Sequence, residues 1–284
     1  MMITLILTAA VALVLSPLAG GLIFGLDRVF TARLQSRIGP PVLQPFYDVF
    51  KLFGKSSMVV NPWQVFCAYV VLVSSALSVF LFFMQGDLLL IFFVLTIGAV
   101  FQVIGAMSVP SPYSQMGAQR ELIQMLTYEP LLILAFVGVA LKTGSFNISA
   151  VYALNVPLLP SLPLFYLAMC TALTIKLRKS PFDISASHHG HQEIVSGVRT
   201  EYSGPHLALL EVAHWLDVIL ILGICSLFWS SSVLGMAILL LLTYVAEIFL
   251  DNITARLTWR WMLVYALGGG LVLSLANLLW LYSV

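Results

Sequence analysis

Residues 88–108, LLLIFFVLTIGAVFQVIGAMS, decide the fold class of this chain. The stretch contains no charged side chain and only a few weakly polar ones. About 20 consecutive apolar residues make a helix long enough to cross the hydrocarbon core of a bilayer. The stretch therefore predicts a transmembrane helix, and the chain that contains it is interpreted as a membrane protein.

The composition of the whole chain agrees with this interpretation. Its 284 residues are 61% hydrophobic and 9% charged, with a mean hydropathy of +1.03, far from the averages of soluble domains. Further apolar windows of similar length lie near residues 3–26, 64–84, 122–141, 158–175, 207–229, 232–250 and 260–282. We predict an all-α integral membrane protein with about eight transmembrane helices in a single membrane domain, residues 1–284. Because the first basic residue, Arg28, follows the first window, that window is expected to be a retained helix.

The basic residues are distributed unevenly between the connections. Twelve of the thirteen Lys and Arg residues fall in or beside residues 27–63, 109–121, 176–206 and 251–259, whereas Lys142 alone lies on the opposite side. Cytoplasmic loops of membrane proteins carry the excess of positive charge. We therefore predict that these four connections are cytoplasmic and that both termini face outside.

The sequence contains no motif for cofactor or metal chemistry. Cys67, Cys170 and Cys225 lie singly in predicted helices, without the spacing of a cluster or a zinc site. Phosphate-loop, dinucleotide, serine-hydrolase and zinc-protease motifs are absent, and the net charge of +1 gives no sign of a nucleic-acid partner. We expect no cofactor, no metal and no catalytic chemistry in this chain alone.

The first cytoplasmic connection contains an amphipathic segment. Its apolar residues are Phe46, Val49, Phe50 and Phe53. Their i, i+3, i+4, i+7 spacing predicts a helix that lies in the membrane surface. Charged residues on the other face and in the preceding segment form a candidate docking surface for a protein or for lipid headgroups: Arg33, Arg37, Asp48 and Lys51. The alternative is an interfacial helix that only packs on its own bundle.

An acidic residue, Glu129, falls deep within the fourth predicted helix. The next residue, Pro130, cannot donate a backbone hydrogen bond, so the carbonyl of Leu126 is left free near the carboxylate. Ionisable residues at membrane depth usually serve a function. Glu129 is therefore a candidate for a hydrated ion or proton site, with a purely structural carboxylate as the alternative.

The connection of residues 176–206 is the most polar segment of the chain. Its candidate functional residues are Lys176, Asp183, Glu193, Glu201, His188, His189 and His191. Such a segment can fold back to membrane depth only where protein buries it or water reaches it. Because histidine titrates near neutral pH, the three histidines suggest a weak proton relay. A zinc site is disfavoured because HHxH lacks the spacing of structural zinc sites and brings no cysteine, and a simple polar loop is the other alternative.

Two later helices carry further charges. Glu211, His214 and Asp217 follow one another at i, i+3 steps, so adjacent members can touch and form a proton relay. Near the inner end of the next helix stand the acids Glu247 and Asp251, followed by the basic Arg256. We interpret these last charges as residues at a helix mouth that reach the interface and pair with the basic connection.

Several short motifs follow one another along the chain. They are RIGP at 37–40, LQP at 43–45, DVFKL at 48–52, YE at 128–129, SPFD at 180–183, TEYSG at 200–204 and DN at 251–252. Together with Glu193 they resemble the eight-helix membrane-anchor subunit shared by respiratory complex I and energy-converting [NiFe] hydrogenases. The resemblance covers nearly the whole chain. It implies that Glu129, Asp183, Glu193 and Glu201 belong to the proton path of that family.

Three departures favour the hydrogenase branch, and within it the Ech type. Lys176 stands where complex I has a glutamate, His214 stands where complex I has another glutamate early in the sixth helix, and the interval from Asp183 to Glu193 is longer and histidine-rich. The resemblance then implies a prokaryotic plasma-membrane complex whose hydrophilic arm passes electrons from ferredoxin through iron–sulfur clusters to a [NiFe] centre. It also implies an antiporter-like membrane subunit that moves protons or sodium ions. These cofactors are expected in the partner subunits.

Two alternatives to this function remain open from the sequence. The chain can belong to a formate hydrogenlyase or to a quinone-reducing complex I. It can also be a free-standing secondary ion transporter, although it shows neither an internal repeat nor paired broken segments.

Overall fold

The protein is described by a computed structural model of residues 2–179, 181–182, 185 and 196–283. Within these residues the structure is helical apart from two isolated β-bridges, Asp87 with Asn147 and Phe182 with Leu257. The helices are α1 (Met2–Leu34), α2 (Gln44–Phe53), α3 (Pro62–Phe83), α4 (Leu88–Met107), α5 (Pro112–Thr143), α6 (Ile148–Ala153), α7 (Pro163–Lys176), α8 (Gly204–Ser226), α9 (Val233–Ile253), α10 (Trp259–Met262) and α11 (Gly269–Ser283). A π-helical segment, Leu263–Gly268, joins α10 to α11. The predicted all-α class is confirmed.

Membrane-spanning length is reached by seven helical segments of the described chain. They are α1, α3, α4, α5, α8 with its short 3₁₀ extension, α9 and the continuous helix Trp259–Ser283. The eighth predicted segment is α7, which has 14 residues and therefore rises only about 21 Å, less than the roughly 30 Å of a hydrocarbon core. Its predicted start at residue 158 is wrong, because Pro163 begins the helix and the amides of Leu158 and Leu159 donate instead to the carbonyl of Phe228.

Side-chain caps fix where several helices begin. The Asn61 side chain accepts a hydrogen bond from the amide of Trp63 over 3.0 Å, just ahead of Pro62 at the first position of α3. Asp87 accepts from the amide of Leu89 over 2.8 Å at the start of α4. Such caps satisfy amides that have no partner within the helix. They set the ends of helices whose interiors are uniformly apolar.

The chain packs as two compact units. The first comprises Met1–Met84, Phe93–Leu122 and Ser185–Leu220, and the second comprises Gln85–Phe92, Ile123–Ile184 and Ile221–Val284. The predicted polar connection of residues 176–206 thus contributes its beginning to the second unit and its end to the first. The prediction of one membrane domain stays a prediction.

In the first unit, two glycines of α1 allow the backbone of this helix to approach α8 and the connection before α2 closely. A Cβ at Gly20 would lie 2.8 Å from the Cβ of Trp215, and a Cβ at Gly25 would lie 1.8 Å from the carbonyl oxygen of Val42. Glycine is therefore required at both positions for this packing. Trp215 also contacts Phe46 of α2 with ring centroids 5.3 Å apart, so α2 is held against α8.

The amphipathic helix is present, but its apolar face is divided. Val49 is buried, and Phe46 packs beside it against Trp215 and Ala208. Phe50, which the spacing assigns to the same face, is 70% exposed, and Phe53 is also exposed. The predicted helix over this segment is confirmed. Its inner side packs on α8, and Phe50 and Phe53 lie on the exposed part of the apolar face, as a helix in the membrane surface requires.

In the second unit, one side chain of α11 fixes the start of α7. The Asn277 Oδ1 accepts from the amides of Leu164 and Phe165 over 2.9 and 3.2 Å. Its Nδ2 donates to the carbonyl of Ser161 over 3.1 Å. Asn277 is fully buried, and it satisfies amides that a helix starting at Pro163 leaves without partners.

Candidate functional site

A buried ion pair joins the polar connection to a membrane helix in the first unit. Arg199 lies in the 3₁₀ turn Gly197–Arg199, and Glu211 lies two turns into α8. The Arg199 Nη1 donates to the Glu211 Oε1 over 2.6 Å, and 4% and 20% of the two side chains are exposed. An ion pair in so little water requires good geometry, because both charges have lost their hydration. The end of the polar connection is thereby bound to the predicted relay helix.

The turn that carries Arg199 is itself seated against α5. A Cβ at Gly117 would lie 2.5 Å from the amide nitrogen of Val198, so the backbones approach as closely as glycine allows. The Val198 amide donates to the carbonyl of Ser185. The Ser185 hydroxyl in turn donates to the Glu121 carboxylate. These contacts hold the turn in place independently of the ion pair.

The motif TEYSG then leads from this turn into α8. The Ser203 hydroxyl accepts from the Met58 amide over 2.9 Å and donates to the Met58 carbonyl over 2.8 Å. Tyr202 is buried. Its hydroxyl lies so close to Gly105 that a Cβ on this glycine would be only 2.2 Å from the hydroxyl oxygen. Burial raises the pKa of the Tyr202 hydroxyl, and the neighbouring Cys67 acts in the same direction. Glu201, predicted as part of the proton path, lies half-buried within this anchored motif.

The three predicted relay residues of α8 contact different elements. Glu211 pairs with Arg199, as described above. The buried His214 packs its ring against Phe24 of α1 with centroids 5.2 Å apart. Asp217 accepts from the Ser75 hydroxyl of α3 over 2.6 Å. The acids and the histidine thus connect α8 to a loop and two helices of the first unit, and their role as a relay stays a prediction.

The second unit contains Glu129 and Lys176. Glu129 is half-buried, and its Oε1 is shielded from solvent. It lies in α5, which continues through Pro130 as one helix. The preceding residue, Tyr128, is buried, and its hydroxyl lies 3.4 Å from the Nζ of Lys176, with the ammonium 5.1 Å from the ring centroid. The predicted lysine of α7 is therefore beside the YE motif.

The charges near the end of α9 divide into two kinds. Asp251 accepts from the Arg256 Nη2 over 3.0 Å, as expected for a charge that pairs with the basic connection. Glu247, one turn earlier, is only 2% exposed. The interpretation of Glu247 as a helix-mouth charge reaching the interface is wrong. Its side of α9 faces α7, because Thr243, on the same side, lies 2.5 Å from the hydroxyl of Tyr166.

The predicted docking residues lie on the surface. Arg33, Arg37 and Lys51 are exposed. Asp48 accepts from the Arg28 Nη1 over 3.0 Å and from the Gln44 side-chain Nε2 over 2.8 Å. The remaining predicted site residues lie outside the described part of the chain: Asp183, Glu193, His188, His189 and His191.

Two features of the site escaped sequence reasoning. The sequence identifies Arg199 only as a basic residue of the loop. Helical periodicity does not relate a loop side chain to a partner in the next helix, which here begins after a Gly-Pro junction. The Ser75 contact left a usable signal, since Ser74, Ser75 and Ser78 form a polar stripe at helical spacing in an otherwise apolar α3. All three serines are buried, so the stripe marked an inward face.

Comparison with known proteins gives the family. A family model described as NADH dehydrogenase matches residues 6–282. The chain belongs to this family. Hydrogenase-4 component C of Escherichia coli (strain K12) is 33% identical over 225 residues, which cover 73% of this chain and 67% of that protein. Formate hydrogenlyase subunit 4 of the same organism is 32% identical over 207 residues, 67% of this chain and 66% of that protein.

A solved structure supports the fold of this family member. A chain in the membrane-bound sulfane sulfur reductase, an archaeal respiratory membrane complex, superposes with a TM-score of 0.84 at 25% identity, covering 96% of this chain and 98% of that one. The chain spans about two thirds of the length of the two curated relatives. The predicted family resemblance is confirmed, and the protein is a multi-pass membrane subunit of the complex I-like and hydrogenase family.

Proposed function

We propose that the chain is the membrane-anchor subunit of an energy-converting [NiFe] hydrogenase. In this role it couples ferredoxin oxidation and hydrogen evolution in a docked arm to the translocation of protons or sodium ions. The observation that carries the proposal is the buried Arg199–Glu211 pair. It links a loop on the basic side of the protein to an acid within a membrane helix, as a coupling subunit requires.

The pair gives the coupling a physical form. A docked arm that changes its redox state and displaces the turn Gly197–Arg199 also displaces the cation that compensates Glu211. A carboxylate that loses a nearby cation in a low-dielectric site binds a proton more tightly, by up to several pKa units. A movement of the loop is thereby converted into proton uptake within the membrane.

The proposed proton path continues the family pattern. It runs from Asp183, Glu193 and Glu201 in the polar connection through Glu129 to the acids of α8. From there it leads to an antiporter-like membrane partner. This path rests on the family resemblance and on the burial of ionisable groups at membrane depth, where they are expensive unless they serve a function.

The proposed partners follow from the charge distribution. Hydrophilic subunits holding the iron–sulfur clusters and the [NiFe] centre dock on the cytoplasmic side, where Arg33, Arg37 and Lys51 are exposed. The basic connections then face the cytoplasm of a prokaryote, and both termini face outside. Each redox cofactor belongs to a partner, and this chain supplies charge and anchorage.

The experiment that tests the proposal replaces Glu129 with Gln in the intact complex. In sealed vesicles, ion pumping is expected to stop while assembly and hydrogen formation in detergent persist. Asp251→Asn is the matched control, since it also removes one acid but leaves pumping intact. Undiminished pumping by Glu129→Gln would exclude an essential role for that carboxylate.

One relative and the matching family model favour neighbouring assemblies as second candidates. The names formate hydrogenlyase and NADH dehydrogenase point to an anchor that serves formate-linked hydrogen evolution or quinone reduction. The proteins that co-purify with the chain separate these cases, because a [NiFe] subunit, a formate dehydrogenase or a quinone-reactive arm identifies each one. Purification as a lone, transport-competent chain would instead favour a secondary transporter.

A further inference from the structure

Glu247 is a buried acid that the proposed proton path does not use. It lies in α9, six residues before the last residue, Ile253, so its Cα is about 9 Å from the helix end. Its Oε2 has no hydrogen-bond donor within the part of the chain that the structure describes. A buried carboxylate in such a site is stable only as the neutral acid or beside a cation.

The groups around Glu247 come from three helices and one loop. The charged and titratable ones are Lys179, Tyr166, Cys170, Cys225 and Tyr244. Lys179 is the cation among them, and it lies close enough to the Glu247 carboxyl group to interact with it electrostatically. Tyr166 and Cys225 are buried and Cys170 is partly buried, and all three are neutral groups. Among these five groups, Lys179 is therefore the one that can compensate a charge on Glu247.

Lys179 lies near both the Tyr244 ring and the Glu247 carboxyl group. It is 6% exposed, and its Nζ lies 5.6 Å from the centroid of the Tyr244 ring. An ammonium over an aromatic ring is attracted by the negative face of the ring, so Tyr244 offers the Lys179 ammonium a site apart from the carboxylate. A small displacement of Lys179 thus changes how strongly it compensates Glu247.

The backbone next to Lys179 belongs to the polar connection. The carbonyl of Pro181 accepts from the amide of Leu257 over 2.8 Å, and Phe182 forms a β-bridge with the same residue. Leu257 lies in the short segment that follows α9. The start of the polar connection is therefore tied to the end of the helix that carries Glu247, and a movement of either segment moves Lys179 relative to the acid.

The chemistry of the site selects its ligand. A sodium or other metal ion next to Glu247 would be repelled by the Lys179 ammonium and would find thiols and a phenol instead of a shell of oxygen ligands. A proton requires only the carboxylate oxygen itself. The unshared Oε2 is therefore suited to bind a proton.

We propose that Glu247 is a second redox-linked proton-binding site, at which Lys179 controls whether the carboxyl holds its proton. The inference rests on the proposed function, because a redox event in the docked arm moves the polar connection. When Lys179 withdraws, the Glu247 carboxylate takes a proton from water and becomes a carboxylic acid. When Lys179 returns, the O–H bond breaks and the proton goes back to that water.

Infrared difference spectroscopy of the intact complex, reduced against oxidised, tests this site. In the wild type, we expect a carbonyl-stretch band from a protonated glutamate that shifts when glutamate is labelled with ¹³C. Glu247→Gln should remove the band while redox turnover in detergent continues. Lys179→Gln should keep Glu247 protonated in both states and so cancel its difference band, whereas Lys179→Arg should retain it.

Asp251→Asn serves as the matched control, because it removes an acid one turn away on the same helix and should leave the band unchanged. A band that survives Glu247→Gln, or one that Lys179→Gln does not alter, overturns the proposal. If Glu247→Gln fails to assemble, the two Lys179 variants decide alone. The proposed function is tested separately, because a wild-type complex that pumps no ions refutes it. If pumping depends on Glu129 but the infrared band is unaltered in Glu247→Gln or Lys179→Gln, only the Glu247 site is refuted.

Discussion

The Arg199 guanidinium and the Glu211 carboxylate are 2.6 Å apart, although the first belongs to a loop turn and the second to a membrane helix. The pair therefore binds two elements that the sequence separates by a Gly-Pro junction. Its strength depends on keeping both partners, since Arg199 is buried and Glu211 is mostly shielded from solvent, so that each charge would be costly without the other.

Removal of one partner of this pair should destabilise the subunit. Arg199→Gln removes the cation that pairs with Glu211 and is expected to cost about 3–5 kcal/mol of unfolding free energy. Thermal unfolding of the detergent-solubilised complex measures the loss. Arg28→Gln is the matched control, because its pair with Asp48 is 42% and 44% exposed and should contribute at most about 1 kcal/mol. Equal effects of the two variants would show that the burial of the Arg199–Glu211 pair does not increase its contribution to stability.

The close approach at Gly25 should not tolerate a methyl group. Gly25→Ala places a Cβ 1.8 Å from the Val42 carbonyl oxygen, and overpacking of this kind costs about 1–3 kcal/mol or more. Gly269→Ala has open space around its Cβ and lies in a helix, where alanine is favoured over glycine by up to about 1 kcal/mol. Lower melting temperature for the first variant and an unchanged or higher one for the second are expected. The reverse order would contradict this packing of α1.

The hydroxyl of Ser75 should matter more than that of Ser78. Ser75→Ala removes a hydrogen bond of 2.6 Å to the partly buried carboxylate of Asp217, and the loss of a hydrogen bond to a charged group costs about 1–3 kcal/mol. The Ser78 hydroxyl donates only to the carbonyl of Ser74 in its own helix, which already has its helical partner, so Ser78→Ala should cost less. Chemical denaturation of the two variants compares them directly. Similar losses would mean that the Asp217 contact is dispensable.

Asn277 should control the order of the first turn of α7. Asn277→Ala removes the acceptor of the Leu164 and Phe165 amides, so hydrogen exchange at these two amides should accelerate. Asn277→Asp keeps an acceptor oxygen and loses only the donor to Ser161, so exchange should change less at these positions. Identical protection in the alanine variant would show that α7 starts at Pro163 without help from α11.

The class of fold was predictable because it depends on local composition. Apolar windows predict where the helices lie, and basic connections predict which side of the membrane each connection occupies. Both signals can be read within about 20 residues. The burial of Glu247 was not predictable in this way. Asp251 and Glu247 stand one turn apart with similar surroundings in sequence, and only the packing of α7 on α9 separates an interfacial acid from a buried one.

Partners at long sequence separation were equally hidden. The contact between Ser75 and Asp217, and that between Asn277 and the start of α7, join residues more than a hundred positions apart. The end of α7 itself was placed correctly, because Lys176 and the polar residues after it stop the apolar run. Its start was misplaced, because the apolar run continues through residues 158–162, where Pro160 and Pro163 exclude a helix.

The π-helical segment Leu263–Gly268 changes the face of the last helix on which each later residue lies. A π-helical turn holds more residues than an α-helical one, so one extra residue of this kind rotates everything beyond it by about 100° relative to an ideal helix. A helical wheel projected from Trp259 would consequently assign Asn277 to the wrong side. Sequence alignments of this segment should accommodate a one-residue gap inside the helix rather than at either of its ends.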